Sequence, residues 1–400
     1  MQIIPGGVTA AQGFVACGLH IGLKKSRKDL ALILSQRPAK AAAMFTKNLV
    51  AAAPIQVCRE QLAKGKQIQA IVVNSGNANA CTGPEGLEHA WRMVKKTAQV
   101  LGIGEDQVLV SSTGVIGQRL PIEMIEAGIE QAAPLLSPEG GAEAAQAILT
   151  TDTFAKEIAV EYADQGHTIR VGGMAKGSGM IHPNMATMLA YITTDVNISA
   201  ELLDRALRTC VDETFNMVTV DGDTSTNDTV AILANGAAGN PEITQPDASY
   251  GAFCKALSYV TEKLAKDIAK DGEGATKLVE VQVKNGATVA QARQIAKSVA
   301  GSNLVKTAIF GEDANWGRIL CAAGYAGVDF DPGKTDVFIG PLQVAANGGA
   351  LDFDEELAKE ILSQDTVVIT LDLKQGDRSA TAWTCDLTFD YVKINAHYRT

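Results

Sequence analysis

The chain is poor in aromatic residues, in histidine and in positive charge. Aromatics make up 5% of its 400 residues, and the net charge is −10. An acidic chain with few stacking rings lacks the basic, ring-lined groove that nucleic acids require, and it offers no basic patch to an anionic lipid surface. Neither nucleic acid nor membrane is therefore expected as a partner. Small anionic substrates remain compatible, because a site needs only one or two local cations. The seven cysteines (Cys17, Cys58, Cys81, Cys210, Cys254, Cys321 and Cys385) are scattered, odd in number and form no CxxC pair. That argues against a disulfide framework or a zinc site and fits a reducing compartment. The five histidines show no HxxxH spacing, so no metal is expected. The first positive charge is Lys24, so the basic start of a signal peptide is missing and a cytoplasmic location is expected.

Apolar content is ordinary and ample for a large core. Leu30–Leu34 and Ala41–Phe45 read as two short strands within a first sixty residues of strands and loops. Ala70–Val73 is a strand that runs into an Asn/Gly-rich loop. A helix follows, starting at Pro84 and stopping at Gly102. "QVLVSSTGVIG" is a strand, with helices near 121–133 and 139–149. Residues 157–175 read as a hairpin turning at Asp164-Gln165-Gly166. Then come a helix over 199–215, a strand, polar loop and strand over 216–233, and a helix over 251–270. "LVEVQVKN" is a strand, 289–299 a helix, "NLVKTAIF" a strand, and another helix starts near Trp316. The last 35 residues read mostly as strand. Strands and helices mix without a βαβ rhythm, which predicts an α+β fold of layered mixed sheets flanked by helices.

The segment "KGSGMIHPNMATMLAYITTD", Lys176 to Asp195, carries no formal charge over the eighteen residues from Gly177 to Thr194. It fails as a membrane span, because Pro183, Asn184 and His182 interrupt it. Self-cleavage by a threonine hydroxyl needs a small preceding residue, and Ala186 precedes Thr187. Cleavage would give Thr187 a free α-amine, with a reference pKa of about 7.7–8.0, able to act as base for its own hydroxyl. Taken alone, an Ala-Thr pair in an apolar strand is usually just core. "VSSTGVIG" ends a strand in small polar residues, either an oxyanion-binding turn or an ordinary glycine turn. "TVDGDTSTNDT" places Asp221, Asp223 and Ser225 like a calcium loop. Thr226 and Ile232 stand where glycine and glutamate are needed, so it reads as a loop held by its own hydrogen bonds. "GSGM" and "GIGED" lack the full dinucleotide fingerprint. Nothing besides Lys176 suggests pyridoxal phosphate.

"KGSGMIHPNMATMLAYITTD", "SSTGVIG", "TVDGDTSTNDT", "GEDANWGRI" and the C-terminal "NAHYRT" occur here in a fixed order. In this the sequence closely resembles the ornithine acetyltransferases of arginine biosynthesis, also called glutamate N-acetyltransferases, from "PGGVTAAQGF" to Thr400. The resemblance implies a fold like that of a self-processing aminopeptidase family with an N-terminal nucleophile. It implies autocatalytic cleavage between Ala186 and Thr187, giving an α chain of 1–186 and a β chain of 187–400 that fold together as one catalytic unit. Thr187 is then the nucleophile and Thr113 with Gly114 the oxyanion hole. Thr153, Lys176, Thr187, Glu273, Asn395 and Thr400 match the family's substrate contacts. Family members assemble as α2β2 heterotetramers. The substrates implied are N-acetylornithine and glutamate. No cofactor is implied, although some members take acetyl-CoA as a second acetyl donor. His182, five residues before Thr187, has no role in this scheme. Two other readings share the sequence: a hydrolytic amidase or aminopeptidase on the same self-cut scaffold, and a non-catalytic amino-acid-binding protein.

Overall fold

Runs such as Leu30–Ile33 and Ile71–Val73 are apolar at every position, a pattern suited to strands covered on both faces. Their residues are fully buried within a nine-stranded sheet. The structure is a computed structural model that describes residues 1–182 and 188–397. The chain divides into two units. The first takes Met1–Gly177, Asn184–Asp212 and Thr224–Leu264, and the second takes Ser178–Pro183, Glu213–Asp223 and Ala265–Thr400. Each unit draws residues from both sides of position 186.

The strands of the first unit are β1 (Gln2–Ile4), β2 (Phe14–Leu19), β3 (Leu30–Phe45), β4 (Ile68–Asn77), β5 (Val108–Val115), β6 (Lys156–Asp164), β7 (His167–Lys176), β8 (Leu189–Thr194) and β9 (Thr229–Ala234). They run in the order β1-β6-β7-β8-β9-β3-β4-β5, with β2 paired to β3. The β4/β5 and β8/β9 pairs are parallel. The two apolar runs expected as separate strands are the two ends of β3. Its first half pairs with β2 and β4 and its second half with β9. Pro38, which has no N–H to give, sits where the β4 register shifts between Leu34 and Ala39. The β6/β7 hairpin turns through Gln165 and Gly166, both at positive φ.

Helices α1 (Ala53–Ala63), α2 (Gly83–Leu101), α3 (Ile122–Ala132), α4 (Gly141–Ala147), α5 (Ala200–Glu213) and α6 (Ala248–Lys270) accompany this sheet. α1 was not expected. It has Pro54 in its first turn but no side-chain N-cap, and its apolar residues form only a weak helical stripe. α2 stops as expected at Gly102, at φ 66°. α4 lies directly on β2 because glycines meet there. A methyl added at Gly140 would stand 1.8 Å from the Ala16 carbonyl oxygen, and one at Gly18 would stand 2.0 Å from that of Glu143.

The second unit holds a six-stranded sheet in the order β13-β12-β11-β14-β10-β15. Its strands are β10 (Leu278–Gly286), β11 (Asp336–Ile339), β12 (Leu342–Ala346), β13 (Gly349–Ala350), β14 (Thr366–Asp372) and β15 (Arg378–Cys385). Here β10 and β14 run parallel. The helices are α7 (Val289–Ala300), α8 (Asn303–Phe310), α9 (Trp316–Gly324), α10 (Glu355–Leu362) and α11 (Phe389–Ala396). Three expectations are corrected here. "NLVKTAIF" is helix α8, not a strand: Val305, Ala308 and Ile309 are buried at helical spacing, and the Ser302 side chain caps Val305 N–H. Residues 215–217 form a 3-10 turn, and Val218 makes a single bridge to Trp383 rather than a strand. The tail after β15 folds into α11. The α+β class with mixed sheets is as expected. Among the described residues no helix is long and apolar enough to cross a membrane.

The close approach of α4 to β2 predicts that Gly140→Ala lowers stability by about 1–3 kcal/mol through overpacking. Gly251, inside α6 with no neighbour within 4 Å of an added methyl, predicts the opposite. Gly251→Ala raises stability by about 0.5–1 kcal/mol by removing backbone freedom from the unfolded chain. Thermal or urea unfolding of both variants checks the two signs.

Candidate active site

In the first unit, β5 delivers Thr113 and Gly114 to the point where its parallel ladder with β4 loses register. Gly76 faces Gly114 there, and Asn77 faces both Thr113 and Val115. Gly114 has φ 134°, and a methyl on it would stand 2.3 Å from the Gly76 carbonyl carbon. Only glycine fits that close approach. A buried amide network fixes the turn. The Ser112 hydroxyl donates to Asn74 Oδ1 at 2.6 Å, Asn74 Nδ2 to the Asn77 carbonyl at 2.9 Å, and Asn227 Nδ2 to the Ser112 carbonyl at 2.8 Å. Asn77, which ends β4, and Asn79 in the loop after it build turns as well: Asn79 N–H donates to Asn77 Oδ1 at 2.8 Å, and Asn79 Nδ2 to the Gly86 carbonyl at 2.8 Å.

Lys176 ends β7 and is buried. Its Nζ donates to Thr150 Oγ1 at 2.8 Å and lies 3.8 Å from Asp152 Oδ2. Asp152 is equally buried. It accepts from Lys156 Nζ at 2.7 Å, from Gly177 N–H at 2.7 Å and from Thr150 N–H at 2.9 Å. Burial alone would raise the Asp152 carboxyl. The ammonium groups of Lys176 and Lys156, with the backbone donor, overrule it and hold Asp152 well below the usual carboxylate range. Thr153 follows directly and is exposed. Two buried lysines therefore share one carboxylate. The resemblance in sequence pointed to Thr153 and Lys176 but not to Asp152. Its signal was a lone carboxylate four residues before Lys156, in an otherwise uncharged stretch.

Asp228 was also missed. It stands just before β9 and is buried. Its Oδ1 accepts from Met188 N–H at 2.9 Å, and Thr229 N–H donates to the Met188 carbonyl at 3.1 Å. Burial pushes the Asp228 carboxyl well above its ordinary value, against the pull of Met188 N–H and the Lys176 charge. Its Oδ2 has no hydrogen-bond partner among the described residues. The Asp228 carboxyl thus pins residue 188. The expected cut, Ala186 and Thr187, lies outside the described residues, and so does Thr400.

In the second unit, Glu273 and Asn395 come together. Glu273 follows α6 and is buried. Its Oε2 accepts from Asn395 Nδ2 at 2.8 Å, and Asn395 also donates to the Tyr391 carbonyl within α11. Gly179 faces this carboxylate so closely that a methyl there would stand 2.4 Å from Oε2. Asp221, from the loop that mimics a calcium site, accepts the N–H groups of Met180 and of Ile181, the latter at 2.8 Å. Asp223 N–H also donates to Asp221 at 3.3 Å, so this part of the loop is held by its own hydrogen bonds as expected. The His182 ring shares a 3.1 Å hydrogen bond with Thr219 Oγ1, and burial lowers its pKa. That leaves it neutral near pH 7.

A family model described as the ArgJ family matches residues 15–400. The chain is 55% identical to the arginine biosynthesis bifunctional protein ArgJ of Symbiobacterium thermophilum, over 100% of both chains. It is 54% identical to the protein of the same name from Caldanaerobacter subterraneus subsp. tengcongensis, again over 100% of both. A crystal structure of arginine biosynthesis bifunctional protein argJ from Bacillus halodurans is 48% identical, with a TM-score of 0.51. That match covers 97% of the solved chain but 52% of this one.

Asp152→Asn keeps the shape and removes the charge that two buried lysines share. It is predicted to cost about 3–5 kcal/mol of stability near neutral pH, the usual cost of breaking a buried pair. The sign follows from linkage. A carboxylate held below its unfolded pKa contributes fully above about pH 4, and loses that contribution only as pH falls through its folded value. Unfolding midpoints of the two proteins should therefore differ at pH 7 and converge in strong acid.

Proposed function

The chain belongs to the ArgJ family, and from that membership we propose that it is an acetyltransferase of arginine biosynthesis, moving acetyl from N2-acetyl-L-ornithine to L-glutamate through an ester on Thr187. The observation that supports this reading is the buried ammonium of Lys176, held beside Asp152 at the end of β7, which can meet a substrate carboxylate. Glu273, oriented by Asn395, supplies the opposite charge for the ornithine ammonium. Thr153 and Thr400 complete the proposed substrate contacts.

Maturation begins when the Thr187 hydroxyl attacks the Ala186 carbonyl. The peptide C–N bond breaks as the Thr187 nitrogen takes a proton, leaving an ester. Water hydrolyses that ester to the Ala186 carboxylate and the Thr187 hydroxyl. The freed Thr187 amine, neutral near its pKa of about 7.7–8.0, then takes the proton from its own hydroxyl during attack on the acetyl carbonyl. Thr113 and Gly114 stabilise the oxyanion. Ornithine leaves as the amine returns the proton. The glutamate amine attacks the acetyl ester, and N-acetylglutamate departs. Support for a cut that keeps the fold comes from the sheet. β8, after position 186, pairs along its length with Val171–Lys176 of β7 before it, and β9 likewise with Lys40–Phe45 of β3. The half-length Bacillus halodurans chain fits the same scheme. The products of the cut assemble as a cytoplasmic α2β2 enzyme that needs no cofactor, with acetyl-CoA as an alternative acetyl donor.

Supplying acetylornithine with and without glutamate separates transfer from hydrolysis. The reading predicts N-acetylglutamate only when glutamate is present; steady release of acetate in both reactions would establish a hydrolase instead. Thr113→Ala should slow turnover by roughly 100–1000-fold, the usual loss for one oxyanion donor.

A further inference from the structure

Lys24 lies before β3 in the first unit, outside every role assigned above. Its Nζ donates to the Leu149 carbonyl at 2.9 Å. The next residue, Thr150, accepts from Lys176 at 2.8 Å. Lys24 and Lys176 are thus tied to adjacent residues of one loop. The stem of Lys24 passes over Gly76, where an added methyl would stand 3.2 Å from Cγ, and Gly76 is the register partner of Gly114. Lys24 therefore spans from the Thr113–Gly114 turn to the Thr150–Asp152 loop. The placement is built: Asp29, fully buried, accepts the Lys24 N–H at 2.9 Å and the Ile21 N–H at 2.7 Å. The Lys24 ammonium makes no salt bridge among the described residues, so donor capacity remains on it beyond its bond to Leu149.

The two substrates differ in one respect that this second cation matches. The donor N-acetylornithine carries one carboxylate and one ammonium, whereas the acceptor glutamate carries two carboxylates. A site with a single carboxylate-binding cation would serve the donor and leave the acceptor with an unpaired negative charge. We propose that Lys24 is the second carboxylate-binding residue, engaging the side-chain carboxylate of the acceptor glutamate. This rests on the acetyl-transfer reading above. The charged groups around Lys24 are Asp29 and Asp152, which favour its charge, and Arg27 and Lys176, which oppose it. Burial, the largest effect, brings its pKa down to about 8. Affinity for glutamate should accordingly weaken above about pH 8.

The test uses the mature protein and Lys24→Met and Lys24→Arg variants. Ornithine released on mixing with acetylornithine alone reports the donor half-reaction, and the glutamate dependence of N-acetylglutamate formation reports the acceptor half. Lys24→Met should keep the ornithine burst within about threefold and raise the KM for glutamate about 10- to 100-fold, the loss of one charge-assisted hydrogen bond. Lys24→Arg should restore most of that affinity and abolish its decline above pH 8. An unchanged KM for glutamate in Lys24→Met would overturn the assignment. An equal loss in both half-reactions would overturn it too, marking Lys24 as a brace for the Leu149 carbonyl. If the unaltered protein released no ornithine and made no N-acetylglutamate, the acetyl-transfer reading itself would fail.

Discussion

One carboxylate holds two buried cations in this protein, and the first unit's chemistry follows from that arithmetic. Asp152 takes Lys156 in a 2.7 Å contact and Lys176 at 3.8 Å. An unpaired charge at that depth would cost several kcal/mol, and the two ammonium groups hold Asp152 ionised between them. The same carboxylate accepts Gly177 N–H and Thr150 N–H. It therefore fixes both the end of β7 and the loop that carries Thr153. Electrostatics and backbone geometry are set by one side chain. A stretch of chain with no charges of its own, residues 177–194, thus begins from a charged, immobile base.

The far side of the undescribed residues 183–187 is fixed just as firmly. Asp228 and Thr229 bracket Met188 through its N–H and its carbonyl. β8 then runs into a ladder between β7 and β9. A bond broken at 186 leaves each proposed product hydrogen-bonded to the other across the β7/β8 pair, so cutting frees an amine without loosening the sheet. In the second unit Glu273 depends on a comparable device. Asn395 orients its carboxylate, and Gly179 leaves room for it.

Much of this was legible in the sequence, and the limits have physical reasons. Strands apolar at every position and helices bounded by Pro84 and Gly102 were readable because periodicity and stop signals agreed. α8 misled because Val, Thr and Ile favour strands, and only tertiary burial of Val305, Ala308 and Ile309 makes it helical. The two halves of β3 looked separate because Pro38 interrupts one ladder while another continues. The candidate residues Lys176, Glu273 and Asn395 came from resemblance in order and motif. Asp152 did not, since its link to Lys176 spans a whole hairpin, and Asp228 and Lys24 did not, since their weight lies in partners far along the chain. Lys24 meets Leu149, and Asp228 meets Met188.

The most direct measurement is the intact mass of the mature protein, quenched in acid after mixing with acetylornithine and no glutamate. The account predicts a fragment beginning Thr-Met-Leu-Ala-Tyr, heavier by one acetyl group at its first residue, that loses the group when glutamate is added before the quench. A fully active but unbroken chain, or a fragment that never gains the acetyl group during turnover, would contradict it.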